Sequence, residues 1–175
     1  MKLPPGHWQY EPSEGGGRII GEACHFLDLL WFLVGRPPTE LTAYQALGQA
    51  ADHPANEDLQ MLLRFPDGSV AHFLYTALGD SALPKERLEV FRGGQAATLD
   101  NFERLTMYQG GRQHGVDLGS VDKGHRTQFE AFVRAIRDPN FVHPLGPKEA
   151  LVTTIVTLRA QESAGGAGSI ALNWT

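Results

Sequence analysis

Arg18, Gly21, Glu22, His25 and Asp28 follow one another at i, i+3, i+4, i+7 and i+10. That spacing stacks them along one side of an α-helix. The residues around them are apolar: Ile19, Ile20, Ala23, Cys24, Phe26, Leu27 and the run Leu29 to Val34. A helix this apolar is expected to be buried nearly all round. Carrying Glu22, His25 and Asp28 inside with it is costly unless each is paired, hydrogen-bonded or open to a solvent-filled pocket. The row is therefore expected to face a cleft, where an imidazole with a neighbouring carboxylate can move a proton. A structural reading stands beside this one, in which His25 and Asp28 bond to each other or to the backbone. Glu22 likewise has two readings, a relay through His25 one turn away or a salt bridge to Arg18.

The elements that must hold this row can be read outward from it. Residues 1–17 carry Pro4, Pro5, Pro12, Gly6 and the run Gly15-Gly16-Gly17, with Trp8 and Tyr10 among them, and read as an extended or irregular lead-in. The helix runs from about Ile19 to Val34 and ends at Gly35, with Pro37-Pro38 blocking its continuation. Strands then follow at Leu41 to Ala46, Leu59 to Phe65, Ser69 to Tyr75, Arg87 to Arg92, Gln95 to Asp100 and Leu105 to Gln109. Pro66-Asp67-Gly68 between the second and third is a strong hairpin signal, and a polar loop is expected around Asp52 to Glu57. Tyr75 can point to either side of its strand. Two helices follow: Lys123 to Arg137, with Phe129, Phe132, Val133 and Ile136 on one side, and Pro147 to Glu162, with Leu151, Ile155 and Leu158 likewise. A short strand at Ser169 to Asn173 can return to the sheet. The fold class is α+β: one large, mostly antiparallel or mixed sheet of about six strands with helices on one face, residues 18–175 forming a single domain.

The 175 residues suffice for one core without disulfide or metal. Cys24 is the single cysteine and is expected as a buried thiol in a reducing compartment. The net charge is −5 and the cations are scattered, which argues against a nucleic-acid partner. The longest apolar run is far short of the roughly 20 residues of a membrane span, and no secretory signal opens the chain, so a cytoplasmic protein without a membrane partner is expected. The seven histidines offer no ligand pair on a common helix, so no metal is expected. Gly15, Gly17 and Gly21 imitate a dinucleotide fingerprint, but a Pro-rich lead-in stands where a strand is required. No cofactor-binding residue is assigned, and the chain alone is not expected to bind a dinucleotide.

Gly15 to Asp28, read as GGGRIIGEACHFLD, resembles the start of the C-terminal domain of the Gfo/Idh/MocA family of NAD(P)-dependent oxidoreductases. Phe65 to Val70, Pro84 to Phe91, Leu99 to Phe102 and Asp122 to His125 agree with the same family in order, from about Trp8 to the end. The resemblance implies a division of labour: a Rossmann domain, absent here, holds NAD or NADP, and this domain forms the substrate site and often the subunit interface. It implies hydride transfer at a sugar or cyclitol-like hydroxyl, with His25 matching the catalytic histidine. The family's usual aspartate four residues earlier is replaced by Gly21, and Glu22 is the candidate to stand in for it. Candidate substrate-binding residues are Arg18, Asp28, Lys85 and His125. Plain alternatives are a surface charge at the first turn for Arg18, a solvated strand entry for Lys85 and a helix-start residue for His125. The chain is expected to be inactive alone, to form a homodimer through its sheet, and to take a partner Rossmann domain and a small sugar-like substrate. A second reading is a non-catalytic module that dimerises through an uncovered apolar sheet face.

Overall fold

The computed structural model describes residues 4, 6–11, 13–45, 58–144 and 146–174. The expected loop at Asp52 to Glu57, and the last residue of the first expected strand, lie outside them. Contacts divide the chain into two compact units, Met1–Leu78 with Leu145–Thr175, and Gly79–Pro144.

In the first unit a 3-10 turn at Trp8–Tyr10 precedes helix α1, Arg18–Val34. Strands β1, Glu40–Gln45, β2, Leu59–Arg64, and β3, Val70–Tyr75, follow it. Helix α3, Pro147–Glu162, a π-helical turn at Ser163–Ala167 and the short strand β8, Ile170–Ala171, complete this unit. The sheet order is β3-β2-β1-β8, antiparallel throughout. The Asp67 carboxylate caps the hairpin turn by accepting from the Ser69 amide at 3.0 Å, and Gly68 supplies a φ of +87° that a side chain would resist. Arg64 consequently faces Val70, and alternate residues Leu59, Met61 and Leu63 point inward.

Helices α1 and α3 cover that inner face. Ile19, Ala23 and Leu27 of α1 and Val152, Val156 and Ala160 of α3 recur every four residues and meet Leu41, Ala43, Met61, Leu63 and Phe73 of the sheet. Each large side chain buried in this way stabilises the fold by about 1.5–3 kcal/mol. Gly35 closes α1 in the left-handed conformation, its N–H donating to the Trp31 carbonyl at 2.6 Å. At the start of α3, Pro147 occupies the first turn and the Glu149 carboxylate accepts from the Gly146 amide at 2.9 Å. The Ser163 hydroxyl ties the π-helical turn to the sheet by accepting from the Ala43 amide at 2.8 Å and donating to the Gly168 carbonyl.

Two expectations about α1 need correction. Phe32 is 80% exposed and Leu33 is also open, so this apolar helix is not buried all round. Cys24 is half-buried rather than buried, its thiol donating to the Gly21 carbonyl at 3.8 Å, and burial pushes its pKa up.

The second unit is a four-stranded antiparallel meander, β4, Arg87–Arg92, β5, Gln95–Asp100, β6, Arg104–Gln109, and β7, Arg112–Asp117, followed by helix α2, His125–Arg137. Leu88, Leu99, Leu105 and Val116 line up across its strands as one apolar row, while Arg87, Asp100, Arg104 and Asp117 form a charged row. No described residue of this unit is fully buried. Phe129, Phe132 and Ile136, the apolar side of α2, are exposed. The α+β class with antiparallel pairing is as expected, the described residues forming eight strands in two sheets where the sequence suggests about six strands in one.

Candidate functional site

The site grows from the entry into α1. Gly17 takes a φ of +99° and Gly16 one of +67°, conformations open to glycine and strained for other residues. Gly15 is required for a different reason, since a Cβ there would stand 2.5 Å from the Gln9 Cα. The run can therefore fold against the 3-10 turn, with the Gly17 amide donating to the Gln9 carbonyl at 2.8 Å. Gln161 of α3 donates to the Gly16 carbonyl at 3.3 Å and fixes the same corner from the other side.

Arg18, the first residue of α1, turns inward and is only 7% exposed. A guanidinium so far from water requires a partner. Its Nε and Nη2 donate to the Glu22 carboxylate at 3.3 Å, and the group lies over the Tyr75 ring, 5.6 Å from its centroid. The Tyr75 hydroxyl, reaching from β3, donates to Glu22 Oε2 at 2.6 Å. Arg18, Glu22 and Tyr75 thus form one cluster between helix and sheet. Glu22 makes the salt bridge to Arg18 that the sequence offers as the alternative to a relay, and Arg18 is an interior cation rather than a first-turn surface charge.

His25 follows one turn beyond Glu22 and differs from it. Its imidazole is exposed and makes no hydrogen bond among the described residues. Asp28 is half-buried a further turn along, and burial, with the charge of Glu149 on α3, raises its carboxyl pKa, while His25 acts in the opposite direction. The helix therefore presents one open imidazole beside a carboxylate already held in place. That ring can accept a proton from a bound hydroxyl and return it.

Lys85 and His125 belong to the second unit. Lys85 is exposed and its ammonium lies 3.6 Å from the Glu86 carboxylate. His125 is exposed at the start of α2. Two residues that sequence reading passes over stand at the site. For Tyr75 the sequence leaves the face of its strand open, and its partner is 53 positions away in the chain. Gln9 lies in the lead-in, and its Nε2 is 3.9 Å from where a Gly21 Cβ would stand. Gly15 is the available signal for Gln9, since a Cβ there would collide with the Gln9 backbone.

Residues 1–98 match the sequence profile of the GFO/IDH/MocA C-terminal domain. No curated protein sequence matches the chain significantly. Among solved structures, an oxidoreductase from Thermotoga maritima is 19% identical with a TM-score of 0.80, covering 98% of this chain and 52% of that one. The aldose-aldose oxidoreductase of Caulobacter crescentus, solved with glycerol, is 14% identical with a TM-score of 0.83 and covers 98% and 52%. Levoglucosan dehydrogenase, solved with NADH and levoglucosan, is 17% identical with a TM-score of 0.77 and covers 96% and 54%. At these identities the likeness is one of fold. The chain spans about half the length of the structures it matches.

Proposed function

The chain belongs to the Gfo/Idh/MocA family as its C-terminal domain, and on that premise we propose that residues 18–175 are the substrate-binding and oligomerisation domain of an oxidoreductase acting on a sugar or cyclitol-like hydroxyl. The observation that carries this reading is the exposed, unbonded imidazole of His25 on a helix whose neighbouring Glu22 is held by Arg18 and Tyr75. In the complete enzyme NAD(P) supplies the hydride acceptor. The pairings within both sheets are antiparallel, so the described residues do not build the parallel βαβ crevice that seats such a dinucleotide. Our reading assigns the cofactor to a Rossmann domain outside these residues and expects these residues by themselves to be inactive.

The part left to these residues is the hydroxyl end of the reaction. His25 takes the hydroxyl proton as the carbinol carbon is oxidised and gives it back in the reverse direction. Glu22 enters as a fixed charge one turn away rather than as the group that moves the proton. Arg18 holds that carboxylate. Asp28, on the same helix as His25, is proposed to contact a substrate oxygen. Levoglucosan and glycerol in the relatives named above are polyhydroxylated, which supports a polyol as the substrate class.

The assembly role rests on the sheet face opposite α1 and α3. Tyr44, Val70, Leu74 and Leu62 are 72%, 66%, 55% and 51% exposed there. Four large apolar side chains on three paired strands favour a second copy as their cover. This same face supports the second reading, a dimerisation module without a substrate.

A titration of the ¹⁵N-labelled chain with myo-inositol and D-glucose, followed by NMR, separates the two. The substrate reading predicts saturable shifts at Glu22, His25 and Asp28 that are lost in His25→Ala. Shifts absent from that helix would overturn it and leave the dimerisation module.

A further inference from the structure

We propose that Gln9 is a substrate-recognition residue, its side-chain amide seated over Gly21 by the glycine run and offered to the hydroxyls of a polyol bound at His25. The inference rests on the reading of the α1 face as a hydroxyl-binding site and adds the group that reads the substrate there.

The backbone around Gln9 is unusually constrained for a lead-in. Its N–H donates to the His7 imidazole Nδ1 at 3.3 Å, and its carbonyl accepts from Gly17 at 2.8 Å. A Cβ on residue 15 would come within 2.9 Å of that same carbonyl oxygen, so only glycine permits the contact without movement. These restraints aim the side chain at α1. Its amide nitrogen stands 3.9 Å from the place a Gly21 Cβ would occupy, and among the described residues no other group outside the helix's own backbone and Gly21's chain neighbours comes within 4 Å. A Cβ at 21 would meet the amide in ordinary van der Waals contact, so a branched side chain as large as leucine would compete with it for this surface.

Gly21 and His25 are one turn apart, on the same face. A helical side chain covers the turn before its own Cα, so His25 leans back over the space that Gly21 leaves open. The Gln9 amide and the imidazole therefore border one patch of surface. Neither makes a side-chain hydrogen bond among the described residues, and Gln9 is half-buried. A carboxamide offers two donors and an acceptor, an imidazole one of each. Two adjacent hydroxyls, each both donor and acceptor, can satisfy both at once.

The test compares the whole chain with Gln9→Ala, Gly21→Leu and His25→Ala, using myo-inositol as the probe and NMR titration as the readout. Gln9→Ala is expected to weaken binding about tenfold, the effect of removing two neutral hydrogen bonds. Gly21→Leu, which competes with the amide for this surface while favouring the helix, is expected to weaken binding to a similar degree without lowering the melting temperature. A merely structural role for Gln9 would move the melting temperature and leave affinity alone. If myo-inositol binds and His25→Ala abolishes it, but both Gln9→Ala and Gly21→Leu bind as the wild type does, the inference is overturned and the substrate reading survives. If myo-inositol and D-glucose fail to bind the wild-type chain at all, both fall together.

Discussion

Replacing Tyr75 by Phe removes one hydroxyl and little else, which makes it a clean probe of the cluster at the start of α1. That hydroxyl donates to a carboxylate at 2.6 Å. A hydrogen bond to a charged group is worth about 1.5–3 kcal/mol when its loss leaves the partner dry. The Glu22 side chain is 31% exposed and keeps its 3.3 Å contact with Arg18, so water and the guanidinium recover part of the loss. The expected destabilisation is then about 1–2 kcal/mol. Glu22→Gln is expected to cost more, about 2–3 kcal/mol, because the Arg18 side chain is only 9% exposed and loses the charge-assisted hydrogen bonds it makes to this carboxylate. In the double variant the two losses are expected to be less than additive by about 1 kcal/mol, since both act on one hydrogen bond. Urea unfolding followed by tryptophan fluorescence is the assay. Trp8, Trp31 and Trp174 all lie in the unit that holds the cluster, so the signal reports that unit. A Tyr75→Phe chain within about 0.3 kcal/mol of wild type, with strictly additive losses in the double variant, would refute the cluster as a stabilising element.

Gly15→Ala places its Cβ against backbone rather than a flexible side chain, and should lower stability by about 1–3 kcal/mol and shift the Gln9 amide resonance. Asp28 has a pKa raised by burial and by Glu149, so the fold favours its protonated form. Its contribution is fully present below the ordinary carboxylate pKa and is lost as pH rises through the raised one. Asp28→Asn should accordingly be more stable than wild type at neutral pH, with the gain vanishing in acid, as urea midpoints across pH will test. Leu62→Glu, in the middle of the open sheet face, should leave the melting temperature of the monomer nearly unchanged while weakening self-association measured by sedimentation.

Where one face of an element is dry and the other wet, the sequence reports it. Leu59 to Arg64 alternates in burial and, Leu62 apart, in apolar character, and Pro66-Asp67-Gly68 sets the register of its hairpin, so β2 and β3 are legible nearly to the residue. Strand β7, with residues Arg112 to Asp117 all exposed, carries no alternation and is missed for that reason. Helix α1 is legible as a helix but not in its exposure, because Phe32 and Leu33 are as apolar as the residues that pack. At the site, helical spacing alone brings Arg18 and Glu22 together, and it correctly offers their ion pair as one alternative. The partnership with Tyr75 depends on how β3 crosses α1, and nothing local encodes it. Gln9 is hidden similarly, since its place over Gly21 follows from two left-handed glycines that fold the chain back on itself.

On the proposed reading this domain supplies the substrate site and the assembly surface of an oxidoreductase, and the dinucleotide is held by another domain. Calorimetric titration of the purified chain with NADH and NADPH, with its mass determined by sedimentation on the same sample, is the decisive measurement. No saturable heat from either nucleotide, together with a stable dimer, is the predicted result; micromolar binding of a nucleotide to this chain alone would contradict it.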